Sequence, residues 1–188
     1  MDLNDEILKT IDILNKGGLI LYPTDTVWGI GCDATNEQAV KKVYDLKQRE
    51  DSKALICLVS DTRMLERYVY EVPAVAYDII QYSNRPTTII YDRPINMAKN
   101  LIASDNTVGI RVASDEFCQK LIRKFKRPLV STSANLSAAP TPKSFGEISS
   151  EILKGVDYVV NLQLEKSNSR PSSIIKISND AVVKIIRK

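Results

Sequence analysis

Strand-like and helix-like segments alternate along most of this chain, and that alternation constrains its fold more than any other feature. Residues 4–16 place Ile7, Leu8, Ile11 and Leu14 on one face, with Asn4 able to cap the start and Gly17 the end, so a helix is expected. A short buried strand follows at 19–22 and breaks at Pro23. A second helix is expected from about Thr35, where Thr35 and Gln38 have capping-box spacing. Residues 54–59 are a continuous apolar run, suited to a strand buried on both faces. Helices are expected at 61–68 and 73–82, then strands at 87–91 and 108–112. Phe117, Cys118, Leu121, Ile122 and Phe125 make 115–126 a strongly amphipathic helix. A strand at 129–132 opens into Ser133-Ala134-Asn135, and Ser144 with Glu147 repeats the capping-box spacing ahead of a helix reaching about residue 153. Short strands are expected at 158–161, 173–177 and 182–186. This order predicts an α/β fold, a mixed sheet flanked by helices, and no repeat or linker divides the single domain 1–188.

Composition narrows the chemistry. The chain has no histidine, which excludes Ser-His-Asp and Cys-His machinery and His-ligated metals. Three cysteines without C-x-x-C spacing argue against a disulfide framework or a zinc site and read as small buried hydrophobes. No apolar run is long enough to span a bilayer, and the acidic start Asp2-Leu3-Asn4-Asp5-Glu6 lacks the basic region of a secretory signal, so a cytoplasmic protein is expected. A net charge of +3 is compatible with a phosphate-bearing ligand but specifies none.

Polar residues gather where strands end: Thr24, Asp25 and Thr26 after the first strand, and Ser131, Thr132, Ser133 and Asn135 after a later one. Ligands of open α/β sheets bind beyond strand ends, although these residue types also favour turns. Lys47, Arg49 and Lys53 follow the second helix, either as solvated cations favoured by the helix dipole or as a phosphate clamp. Arg111 lies within a strand pattern, where a charge needs a carboxylate partner or a ligand anion. There is no G-x-x-x-x-G-K-[ST] loop, and Gly29-Ile30-Gly31 lacks the third glycine of a dinucleotide fingerprint. On residues alone the reading is an α/β domain with a cleft for an anionic ligand.

Five segments match a known family in order. Tyr22-Pro23-Thr24-Asp25-Thr26-Val27-Trp28-Gly29-Ile30-Gly31 resembles the first signature of the YrdC-like family. The segment carrying Lys47-Gln48-Arg49 and Lys53 is similar to its lysine–arginine motif, and Arg85-Pro86-Thr87-Thr88 to its P-G-P-x-T turn. Residues 108–112 resemble the arginine-bearing strand, and Ser131-Thr132-Ser133-Ala134-Asn135 contains the S-x-N motif. The resemblance implies a twisted mixed sheet with a basic concave groove and an L-threonylcarbamoyladenylate synthase. In that reaction L-threonine and bicarbonate give a carbamate, which attacks the α-phosphate of ATP and expels pyrophosphate. A downstream threonylcarbamoyl transferase complex then modifies adenosine at tRNA position 37.

By motif match the resemblance assigns Lys47 and Arg49 as catalytic cations. It assigns Arg49, Lys53, Thr107, Ser133, Asn135, Thr141 and Arg187 to ATP, and Thr24, Arg111, Ser131 and Ser172 to threonine. It implies ATP as substrate with Mg2+, names no side chain as a metal ligand, leaves open whether the ion is held by the protein or only by ATP, and implies a groove on which tRNA or RNA could also lie. Arg85 replaces the usual glycine of P-G-P, Leu58 stands where some members carry a histidine, and Ser172-Ser173-Ile174 replaces S-T-V. The chain ends at Lys188, so the resemblance is to the short form. Two other readings of the same pattern are an RNA-binding module of this fold and a related carbamoyl-adenylate-forming enzyme.

Overall fold

The computed structural model describes residues 2–48, 55–165, 170–180 and 182–188. Helix α1 (Leu3–Asn15) is capped by the Asp2 side chain and buries Ile7 and Leu14. The next two strands, β1 (Ile20–Tyr22) and β2 (Gly29–Gly31), form an antiparallel pair around the Thr24-Asp25-Thr26 loop. Gly31 is required there. A Cβ on it would come within 2.6 Å of the Tyr22 ring and 2.8 Å of the Val130 carbonyl oxygen.

Helix α2 (Glu37–Lys47) starts one residue later than its capping-box pattern suggests. Asn36 is the cap, accepting from the Gln38 and Ala39 amides, while the Thr35 hydroxyl donates to Asp33. Strand β3 (Ile56–Val59) and the short α3 (Thr62–Leu65) precede α4 (Ala74–Tyr82), β4 (Thr87–Asp92) and β5 (Thr107–Val112). Helix α5 (Glu116–Phe125) buries the five apolar residues expected of it. Each such side chain contributes about 1.5–3 kcal/mol of burial, or less for the cysteine. Strand β6 (Leu129–Ser133) is followed by α6 (Ser150–Gly155), β7 (Tyr158–Val159), β8 (Ser173–Ile177) and β9 (Val183–Arg187). The Ser144 and Glu147 spacing yields only a 3-10 turn, Phe145–Glu147, because the Glu147 carboxylate accepts from the Lys143 amide; the helix itself is capped by Ser149.

The nine strands make one mixed sheet in the order β7-β1-β2-β6-β3-β5-β4-β8-β9. Strand β6 joins its two halves, pairing Thr132 and Ser133 with β2 and residues 129–131 with β3. Helices α1 and α5 pack together against one side, with α5 and α3 on the central strands. Paired residues of a ladder share a face. The pairs Gly29–Ser133, Ile56–Ser131, Ile56–Gly109 and Leu58–Arg111 therefore align across the other side. No helix among the described residues is long and apolar enough to cross a membrane.

Candidate active site

A cleft of about 210 Å³ opens on that second face, where the middle of the sheet meets its β8–β9 end. Strand β5 supplies Arg111, β6 supplies Ser131, Thr132 and Ser133, and the loop before β2 supplies Thr26 and Val27. Ser172 and Arg187 close the β8–β9 side, and Thr141 lies on the loop after β6.

Arg111 is among the largest buried side chains of the described residues, only 2% exposed, and lines the cleft. One terminal nitrogen donates to Asp25 Oδ1 at 2.8 Å and lies 3.3 Å from the Thr26 hydroxyl. Its Nε is buried without a hydrogen-bond partner among the described residues. The charge in the strand thus has a carboxylate partner on one edge and a donor still unpartnered on another. A buried guanidinium donor without a partner is costly, and a ligand anion is the group that relieves it.

Arg187 stands across the cleft. Its Nε and a terminal nitrogen donate to the Ser172 carbonyl oxygen at 3.1 and 2.8 Å. Burial, and after it the positive charge of Arg111, pull its pKa below the ordinary arginine value. Two like charges that feel each other through protein favour an anion beside them. Hydroxyls complete the ring. Ser131 and Ser172 are buried at the cleft, and the Ser172 hydroxyl shares a 2.8 Å hydrogen bond with Thr88.

Six assigned residues therefore meet in one cleft: Arg111, Ser131, Ser133, Thr141, Ser172 and Arg187. Thr24 is not among its lining residues. Its hydroxyl donates to the Val27 carbonyl at 2.7 Å and accepts from the Thr26 amide, shaping the loop from within. The neighbour Thr26 takes the place at the cleft. Thr107 lies at the opposite end of β5 from Arg111, about 13 Å away at strand rise, and its hydroxyl donates to Asp105. Arg49 and Lys53 lie outside the described residues.

Lys47 is buried at 1% exposure rather than solvated, and it is not among the cleft-lining residues. Its ammonium donates to the carbonyls of Ser133 and Asn135 at 2.5 and 2.6 Å, and its own carbonyl accepts from the Ser137 amide. The lysine thereby holds both ends of Ser133-Ala134-Asn135. Asn135 turns its amide nitrogen to the Leu136 and Ala139 carbonyls. Its Oδ1 is buried without a partner among the described residues, beside a second hollow of about 280 Å³ that shares Thr141 with the cleft.

The cysteines offer no nucleophile. All three are free and buried; burial holds the Cys57 thiol up at about 12 and raises Cys32 and Cys118 as well. Leu58, cross-strand from Arg111, is fully buried. The sequence grouped Thr24, Asp25 and Thr26 at a strand end but gave only Thr24 a substrate role, and it did not point to Thr88. The polar Thr24-Asp25-Thr26 triplet was the available signal, but which members face inward depends on the β1–β2 turn.

The Sua5/YciO/YrdC family model, described as telomere recombination, matches residues 12–188. The chain belongs to the Sua5/YciO/YrdC family. A putative threonylcarbamoyl-AMP synthase of Methanocaldococcus jannaschii is 36% identical over 190 residues, covering 98% of this chain and 88% of that protein. The threonylcarbamoyl-AMP synthase of Pseudoalteromonas translucida is also 36% identical, over 94% of this chain and 95% of its own. Among solved structures, E. coli YciO superposes with a TM-score of 0.84 at 25% identity, covering this whole chain and 90% of YciO. P. abyssi Sua5 complexed with L-threonine gives 0.81 at 23% identity; the chain spans 52% of that Sua5 chain, and at this identity the likeness is one of fold. The family's mixed sheet flanked by helices is the architecture described above.

Proposed function

We propose that this protein is an L-threonylcarbamoyladenylate synthase, as its relatives in two prokaryotic lineages are named. The observation that carries the reading is Arg111, a buried arginine with an unpartnered Nε that lines a hydroxyl-ringed cleft. The carboxylate of threonine is the anion for that donor, because charge-assisted bonds from a planar guanidinium suit a carboxylate. In this reading Thr26, Ser131 and Ser172, which line the cleft, recognise its amine and hydroxyl. A site built to bond that hydroxyl rejects valine, whose methyl would leave buried polar groups unpaired.

ATP enters as its Mg2+ complex, with Ser133, Asn135, Thr141 and Arg187 on its side of a basic groove and Arg49 and Lys53 as further phosphate contacts. The threonine amine forms an N–C bond with bicarbonate and releases water. An oxygen of the resulting carbamate then bonds to the α-phosphorus as the bond to pyrophosphate breaks. Such a displacement depends on positioning and charge neutralisation more than on a near-neutral base, which suits a chain without histidine. The product passes, in the cytoplasm, to the transferase complex that modifies tRNA.

Pyrophosphate release from ATP by the purified protein tests this reading. Release that requires both L-threonine and bicarbonate, and that valine does not support, is the expected result. Background release with threonine, or release that depends on carbamoyl phosphate, would overturn it.

A further inference from the structure

The geometry points to Asp25 as the positioning residue of the cleft, one that aims Arg111 and links it to the start of α5; this rests on the threonine reading above. Asp25 is nearly buried, with 7% of its side chain exposed, and both carboxylate oxygens are in use. Oδ1 accepts from Arg111, while Oδ2 accepts from the Ser114 amide at 3.2 Å and the Ser114 hydroxyl at 2.8 Å. Three elements therefore meet on one carboxylate: the β1–β2 loop, the end of β5 and the turn into α5.

A long arginine side chain has many rotamers, and holding it still is costly in entropy. Asp25 fixes it from one edge. A single terminal nitrogen serves both Asp25 and Thr26, and Nε is left without a partner among the described residues in a side chain that lines the cleft. The carboxylate also supplies the counter-charge that lets the guanidinium stay buried while the cleft is empty. A substrate carboxylate then meets a guanidinium already held in place, with little ordering left to do on binding. The Thr24 hydroxyl, bonded to Val27 and Thr26, keeps the loop that presents Asp25 in one shape.

The role separates from mere structural support by which substrate feels its loss. Asp25→Asn keeps the shape but removes the charge and one acceptor. Its KM for threonine should rise about 10- to 100-fold, as for loss of a charge-assisted contact, with KM for ATP within about 2-fold. Ser114→Ala, which loosens only the far side of the carboxylate, should raise the threonine KM about 2- to 10-fold and serves if Asp25→Asn fails to fold. In an Arg111→Gln background, adding Asp25→Asn should change the threonine KM by less than about 2-fold, since residues acting as a unit are not additive. Equal rises in both KM values, or full additivity with Arg111→Gln, would overturn the positioning role. Wild-type protein is assayed alongside. If it releases no threonine-dependent pyrophosphate, the threonine reading fails and takes this one with it; if it does, only Asp25 is on trial.

Discussion

Two cations lie buried, one on β5 and one at the end of α2, and their surroundings differ in kind. Arg111 has a carboxylate on one edge and an unpartnered Nε beside a cleft. Lys47 faces backbone, bridging the carbonyls of Ser133 and Asn135. Burial alone therefore does not mark a substrate contact. What distinguishes the two is what they line: Arg111 lines the cleft with one donor still unpartnered among the described residues, whereas the Lys47 bonds shape the loop that carries Ser133.

Removing Arg111 should have the largest effect. Arg111→Ala takes away the unpartnered donor and strands Asp25, so kcat/KM for threonine should fall about 100- to 1,000-fold, and stability by about 3–5 kcal/mol as for a broken buried pair. Steady-state kinetics with each substrate varied, and urea unfolding, would show it; equal losses for ATP and threonine would erase the contrast with Lys47. Lys47→Met comes next. It leaves two buried carbonyls without their donor, which should cost roughly 2–4 kcal/mol in urea unfolding and weaken both substrates through a loosened loop. Lost turnover at unchanged stability would instead place Lys47 on the substrate itself.

A finer comparison lies within one loop. Thr26→Val should raise the threonine KM about 3- to 10-fold, because Thr26 lines the cleft and neighbours Arg111. Thr24→Val should act mainly on stability, by about 1–2 kcal/mol, since its hydroxyl serves Val27 and Thr26. Reversed behaviour of the two, seen in the same kinetic and unfolding assays, would return Thr24 to the substrate. Thr107→Ala should do least to the kinetics, costing about 0.5–1.5 kcal/mol of stability for a lost hydrogen bond at a buried position and leaving KM for ATP unchanged. A large rise in that KM would reinstate Thr107 as an ATP contact.

Much of this was legible in the sequence, for reasons that also explain what was not. The five apolar positions of α5 recur at helical spacing, so both its existence and its buried face could be read. Capping patterns were less reliable because several side chains compete for the same amides: Asn36 displaced Thr35, and Glu147 was drawn back to the Lys143 amide. Strand β2 was missed, since Gly-Ile-Gly shows no strand periodicity and exists as a strand only because β1 and β6 flank it. Arg111, Ser131, Ser172 and Arg187 all line the cleft, on or beside strands whose pairing brings them together. Thr24 and Thr107 are not among its lining residues. Their position depends on a turn and on distance along a strand, neither of which a motif records.

The most direct test is a crystal structure of the protein with L-threonine and a non-hydrolysable ATP analogue. The account predicts the threonine carboxylate at about 2.7–2.9 Å from the Arg111 guanidinium, with the Arg111–Asp25 pair intact. A threonine bound elsewhere, or an Arg111 that leaves Asp25 to contact phosphate, would contradict it.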